Sequence, residues 1–368
     1  MEPSFFLAQG LTVGYRGVPL IQDVEICLNR GEILSLIGPN GAGKTTILKH
    51  IIRQMEPICG TVCLDGRDIG KIPGQDLAKQ MSVLLTDRVR PELMTCEDVV
   101  SAGRYPYTGK FGILSPGDRQ VVREAMALMS ITELAARNFL QTSDGQKQRV
   151  MLARAICQEP GLLILDEPTA YLDIRYKIEL LDILRKMARE KQIAVIMSLH
   201  EIDLAMKISD RILCVKADGG TVFGSPEEVS KICPIGELYG LEKGSYNALY
   251  GSVELAMPVG EPAVFVVGGG GFGIPFYREL QKRQIPFAAG ILYENDIDYP
   301  VAKGLSSHVI SAPAFSVMQR QQLDAAAGWM ERCSLVIDAG TPARELNALN
   351  RELLFLAREK GIPVQDHL

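Results

Sequence analysis

The chain has 368 residues, more than one hydrophobic core normally serves, so two domains are expected. Hydrophobic residues make up 47% and charged residues 23%, which excludes a disordered chain, and a formal net charge of −5 lacks the basic footprint of a nucleic-acid binder. The eight cysteines are scattered. Cys59 and Cys63 form one C-x-x-x-C pair with no second pair to complete a zinc site, so strand packing is expected of them, in a reducing compartment. No apolar run reaches the length of a membrane span, and the N-terminus lacks a signal-peptide pattern. A cytosolic protein is expected, with any membrane role carried by a separate partner.

In chain order, the first informative run is Ile33 to Ile37, which reads as a buried strand. It leads into Gly38-Pro39-Asn40-Gly41-Ala42-Gly43-Lys44-Thr45-Thr46, which fits the phosphate-loop pattern G-x-x-x-x-G-K-[ST]. Ile47, Leu48, Ile51, Ile52 and Met55 then form a helical stripe. Strand, glycine loop and helix is the context that the pattern requires. Its backbone N–H groups and the helix dipole favour phosphate, Lys44 would neutralise the β- and γ-phosphates, and Thr45 would offer its hydroxyl to Mg²⁺.

A helical stretch follows, opened by Ser115-Pro-Gly-Asp118 as cap, first-position proline and first-turn acid. Val121, Val122, Ala125, Leu128 and Met129 are its expected buried stripe. Leu162 to Asp166 is four apolar residues ending in a carboxylate, a buried strand that delivers Asp166 to its tip. A strand beside the phosphate-loop strand would let Asp166 hold Mg²⁺ through water, and Glu167 could polarise the attacking water.

Just upstream, Thr142-Ser-Asp-Gly-Gln-Lys-Gln-Arg149 resembles the signature sequence of the ABC ATPases, in which Ser143, Gly145, Gln146, Gln148 and Arg149 match. Pro168 to Asp173 resembles that family's D-loop, and His200 its switch histidine. Tyr15 precedes the phosphate loop at the distance of the aromatic residue that stacks on adenine. The resemblance covers roughly residues 3–255. It implies a P-loop NTPase fold of α/β class with a helical subdomain at about 88–145. It implies catalysis through Glu167, His200 and Lys44. It also implies nucleotide-binding roles for Ser143, Gly145, Gln146 and Asp173, and a head-to-tail homodimer in which Ser143 and Gly145 of one copy face the ATP on the other's loop. The family's Q-loop glutamine aligns with Asp87, a further Mg²⁺ candidate, and the signature's first glycine is Asp144. Each adds a carboxylate near a triphosphate, which weakens binding unless Mg²⁺ or a helix N-terminus offsets it.

Gly103-Arg-Tyr-Pro-Tyr107 and Tyr171 to Leu181 resemble the importer branch for ferric siderophores, haem and cobalamin. Tyr105 and Tyr107 fit equally as core fillers of the helical subdomain. The implied cofactors are ATP and Mg²⁺, and the implied partners are transmembrane permease subunits with a solute-binding protein, on the inner face of the cell membrane. The alternative is a soluble, non-transport ABC ATPase acting as a nucleotide-dependent switch. No long coiled-coil insertion and only one phosphate loop are present, and the charge gives no support for nucleic acid.

Met257-Pro-Val-Gly-Glu-Pro262 reads as a boundary, dividing an ATP-binding domain, 1–256, from a C-terminal domain, 257–368. Beyond it, strand-like runs at 263–267, 287–292, 308–311, 335–339 and 363–365 alternate with helical stretches, so a small Rossmann-like parallel α/β domain is expected. Its first turn contains Gly268-x-Gly270-x-x-Gly273, which could cradle a phosphate or dinucleotide or serve only tight helix–strand packing. Glu294 and Asp296 lie slightly beyond the distance of a ribose-binding acid.

Overall fold

The computed structural model describes residues 4–85, 92–241, 244–247, 251–342 and 347–368. Asp87 lies outside the described residues. The chain divides into two compact units, residues 1–239 and 240–368.

The first unit runs β1 (Phe6–Tyr15), β2 (Val18–Leu28), β3 (Ile33–Ile37), α1 (Lys44–Ile51), β4 (Cys59–Leu64), β5 (Arg67–Asp68), α2 (Gly74–Gln80), β6 (Met81–Leu84), α3 (Cys96–Ser101), α4 (Pro116–Leu128), α5 (Asp144–Cys157), β7 (Leu162–Asp166), α6 (Ile174–Lys191), β8 (Ala194–Ser198), α7 (Ile202–Ile208), β9 (Arg211–Val215), β10 (Thr221–Gly224), α8 (Pro226–Ile232) and α9 (Ile235–Leu238). Its main sheet has the order β10-β9-β3-β8-β7-β6, parallel except for β10. An antiparallel sheet, β2-β1-β4-β5, faces one side of it. Strands buried on both faces read as continuous apolar runs, and β7 shows how they divide. Leu162 and Ile164 join the core shared with β1, β2 and α1, whereas Leu163 and Leu165 join the core of α3 to α6.

The order corrects one expectation. β7 is not beside β3; β8 lies between them. Asp166 is therefore presented one strand further from the loop, and the tip of β8 becomes part of the site.

Helices α3, α4 and α5 pack together as the helical subdomain. Ser115 caps α4 with a reciprocal box to Asp118. Arg104 locks this helix to the end of α5. Its guanidinium is buried, pairs with Asp118 at 2.9 Å and Glu159 at 2.8 Å, bonds the Cys157 carbonyl, and lies 4.1 Å over the Tyr107 ring. Gly103 is required here, because a Cβ would stand 2.2 Å from the Arg154 carbonyl. The core departs from expectation in places. Leu128 is 40% exposed and Met126 is buried instead, because the buried face of α4 runs through Val122, Ala125, Met126 and Met129 at helical spacing. Tyr105 is 75% exposed and Tyr107 edges outward, so neither fills the core.

The second unit opens with a hairpin, β11 (Ser245–Asn247) and β12 (Ser252–Glu254), then runs β13 (Val264–Val267), α10 (Ile274–Lys282), β14 (Phe287–Tyr293), α11 (Asp298–Leu305), β15 (His308–Ala312), α12 (Arg320–Met330), β16 (Leu335–Asp338), α13 (Ala348–Glu359) and β17 (Val364–Gln365). Its sheet is all parallel in the order β15-β14-β13-β16-β17, the Rossmann-like layout expected from the alternating runs. The hairpin precedes the expected boundary at 256/257 yet belongs to this unit, because Arg278 of α10 pairs with the buried Glu254 and Gln281 bonds the Ala256 carbonyl.

Replacing Arg104 by Met leaves the buried Asp118 carboxylate without its cation, a loss of about 3 kcal/mol. Chiefly the Ser115 hydroxyl, and with it Arg104, holds the Asp118 carboxyl below its ordinary value. That stabilisation is full above the unfolded pKa of about 3.9 and fades as pH falls through the lower folded value. Urea titrations at pH 7 and pH 3 should therefore show the wild-type-to-variant gap narrowing at the acid end. A gap independent of pH would assign Arg104 a packing role only.

Candidate nucleotide site

The loop after β3 holds its shape through its glycines. Gly38 has φ 147° and sits so close to β9 that a Cβ would stand 2.1 Å from the Val215 carbonyl. Gly41 and Gly43 have φ of 80° and 105°, in the left-handed region. The Gly38 N–H donates to the Tyr239 hydroxyl at 3.2 Å, which ties the loop to the residue after α9. Asn40 and Gly41 are exposed at the crest, and Ala42 is buried below it. Lys44 is 6% exposed, and its ammonium donates to the carbonyls of Gly38 at 2.7 Å and Pro39 at 3.0 Å. Burial pushes its pKa down, while Glu167 and Asp166 pull it back up. A desolvated cation held only by carbonyls gains most from a polyphosphate. Thr46 is buried, and its hydroxyl lies 2.8 Å from that of Tyr15, whose ring is 51% exposed at the end of β1.

Three strand tips close the site. Thr45 Oγ1 donates to Asp166 Oδ2 at 3.0 Å. Ser198 Oγ, at the tip of β8, donates to Asp166 Oδ1 at 2.7 Å and accepts from the Glu167 N–H at 2.9 Å. Ser198 thus positions both acids, and it is the functional residue that motif reading missed. Its signal was a small polar residue ending an apolar strand, Ile193 to Ser198. Glu167 has φ 51°, a left-handed conformation that strains a non-glycine residue, and it aims its carboxylate at His200, with Nε2 and Oε1 2.6 Å apart. Lys44, Thr45, Asp166, Glu167 and His200 are therefore gathered in one chain. Thr45 and Asp166 supply adjacent hard oxygens at the loop, a donor set that suits Mg²⁺.

Ser143, Gly145, Gln146 and Asp173 form a second group. Ser143 caps α5, accepting from the Gln146 N–H at 3.3 Å, while Gln146 Oε1 accepts from the Ser143 N–H at 3.0 Å. Asp144 is not the cap; it occupies the first helical turn, exposed, with Lys147 3.3 Å away. The helix N-terminus and this lysine both offset its charge. Gln148 donates to the Pro168 carbonyl at 3.1 Å, and a Cβ on Gly145 would stand 3.1 Å from the Tyr171 carbonyl, so the signature helix packs on the 168–173 segment. Asp173 caps α6 through the Tyr176 N–H at 3.0 Å. Thr169 and Lys177 both bond Glu201, next to His200, which links the two groups through the chain. Gly268, Gly270 and Gly273 belong to the second unit, between β13 and α10.

Comparison with known proteins decides the family. The family model for ABC transporters matches residues 21–170, and a model named MJ0874 family matches residues 287–365. An uncharacterized ABC transporter ATP-binding protein, MJ0873 of Methanocaldococcus jannaschii, is 42% identical over 285 residues, covering 77% of this chain and 98% of that protein. The chain belongs to the ABC transporter ATP-binding family. The cobalamin import ATP-binding protein BtuD of Halobacterium salinarum is 31% identical over 318 residues, 84% of this chain and 79% of that one. The iron(3+)-hydroxamate import ATP-binding protein FhuC of Bacillus subtilis is 37% identical over 58% of this chain and 78% of its own. Among solved structures, the dimeric cassette MJ0796 in a post-hydrolysis state with ADP and Pi aligns with a TM-score of 0.54 and 25% identity, over 60% of this chain and 98% of that one. CbiO1 of Clostridium perfringens, part of the complex cbiONQ, aligns with a TM-score of 0.53 and 26% identity, over 66% and 96%.

Ser198→Ala removes a hydrogen bond to a charged group, worth about 1.5–3 kcal/mol, and loosens Glu167. ATP turnover should fall by roughly tenfold or more, with ATP affinity within about threefold. Comparable losses in affinity and turnover would show that Ser198 serves the fold of the loop instead.

Proposed function

We propose that this chain is the ATP-hydrolysing subunit of an importer, working as a homodimer beneath transmembrane permease subunits that carry an iron chelate or cobalamin. The observation that carries hydrolysis is the strained Glu167, aimed at His200 beside the Thr45–Asp166 pair. Lys44 binds the β- and γ-phosphates, Tyr15 offers its exposed ring to adenine, and Glu167 takes the proton of the attacking water. His200 orients Glu167 and contacts the γ-phosphate. Mg²⁺, held by Thr45 and Asp166, would neutralise phosphate charge.

Ser143 and Asp173 are exposed in the single chain, which suits residues that meet ATP bound to a second copy. No helix among the described residues is long and apolar enough to cross a membrane, so passage of the cargo falls to a partner. The helical subdomain carries Leu93, Tyr105, Phe111 and Ile113, each more than 70% exposed, apolar side chains that a partner could cover. The import relatives support the cargo class, and the relatives named above are transport proteins, which favours transport over a soluble switch.

Glu167→Gln keeps the side chain's shape but removes the base. With ATP and Mg²⁺ it should accumulate as an ATP-loaded dimer in light scattering, with turnover reduced at least 100-fold, in the range of a lost general base. A variant that stays monomeric under these conditions contradicts the proposed cycle.

A further inference from the structure

The glycine run of the second unit lies at the place where parallel α/β domains bind ligands. Strand β13 has β14 on one side and β16 on the other, so the chain order reverses at its tip. In a phosphate-binding turn of this kind, the backbone N–H groups are left for the ligand. Here the chain fills them itself. Gly269 N donates to Asp298 Oδ2 at 2.6 Å, and Gly273 N donates to the same oxygen at 2.9 Å. Gly270 N donates to both Asp296 oxygens, each at 2.9 Å. Asp296 also accepts from the Asp298 N–H at 2.9 Å, which folds the segment after β14 back over the loop.

Packing tells the same story. Asp298 is fully buried, and so is Tyr277 beneath the loop. A Cβ on Gly273 would stand 2.7 Å from Asp298 Oδ2 and 2.3 Å from the Tyr277 hydroxyl; one on Gly268 would stand 2.5 Å from that hydroxyl. These two glycines make room for the chain's own acid and tyrosine. Gly269, Gly270 and Gly271, with φ of 138°, 63° and 91°, supply the left-handed turn that points the N–H groups inward. Burial pushes the Asp298 carboxyl above its ordinary value, and the N–H groups of Gly273 and Gly269 oppose that. A nucleotide phosphate brought to this turn meets two carboxylates and donors already engaged.

We propose that the loop is self-liganded: Asp298 and Asp296 serve as built-in anions in place of nucleotide phosphates, and the second unit takes no phosphate-bearing nucleotide through it. Its glycine pattern then records an internal clamp joining β13, α10 and the 294–298 turn, not a dinucleotide site.

Two measurements on the full chain test this. With the first unit's site saturated by ATP, equilibrium dialysis of labelled NAD at about 1 mM should show no binding. Stoichiometric binding that Gly270→Ala abolishes would overturn the proposal. In Asp298→Ala the freed N–H groups should lose amide-exchange protection by at least about tenfold, and added formate or inorganic phosphate should restore it by refilling the vacated place. Wild-type protection should not respond to either anion. Unchanged protection in the variant, or no rescue, would also overturn it. Should Asp298→Ala fail to fold, Asp296→Ala frees the N–H groups of Gly270 and Asp298, and at Gly270 the same loss and anion rescue are expected.

Discussion

A glycine turn between a buried strand and a helix leaves backbone N–H groups that require a negative partner, and both units are organised around meeting that need. In the first unit the acids near the turn are bonded elsewhere: Asp166 to Thr45 and Ser198, and Glu167 to His200. The turn keeps Lys44 beside it, held by carbonyls alone. In the second unit the acids close onto the turn itself, and no lysine follows the last glycine. The same local geometry thus gives a receptive site in one unit and a filled one in the other. The difference lies in where the end of β7 and the segment after β14 direct their carboxylates.

The sheet order explains how the receptive site stays open. With β8 between β3 and β7, Asp166 is delivered from two strands away and meets the start of α1 at the Thr45 hydroxyl. Ser198 fills the gap, fixing the buried Asp166 with one bond and the left-handed Glu167 with another. Strain at Glu167 is tolerated because its N–H, carbonyl and carboxylate are each held by a different neighbour. The Thr169–Glu201–Lys177 contacts extend this order to the 168–173 segment, and so to the helix that Ser143 caps.

Much of this was legible in the chain. The five strands of the second unit's parallel sheet, the cap at Ser115, and the strand–loop–helix around Lys44 follow from local patterns that burial alone reinforces. Other features were not. Leu128 fits the spacing from Ala125 yet faces solvent, since the buried face of α4 is the neighbouring one, through Val122, Ala125, Met126 and Met129. Asp296 was weighed as a ribose acid by its distance along the chain, whereas its carboxylate turns back onto Gly270.

The sequence by itself determined the family and the class of both units, because motifs and periodicity are properties of neighbouring residues. Only the tertiary structure decided that β8 separates β3 from β7, that Ser198 reaches Asp166 and Glu167, that Arg104 locks the helical subdomain, and that Asp296 and Asp298 close onto the second glycine loop. Each of these depends on which groups from distant segments arrive within 3 Å of one another. Hydrogen bonds and buried charges act at that range, and spacing along the chain does not encode it.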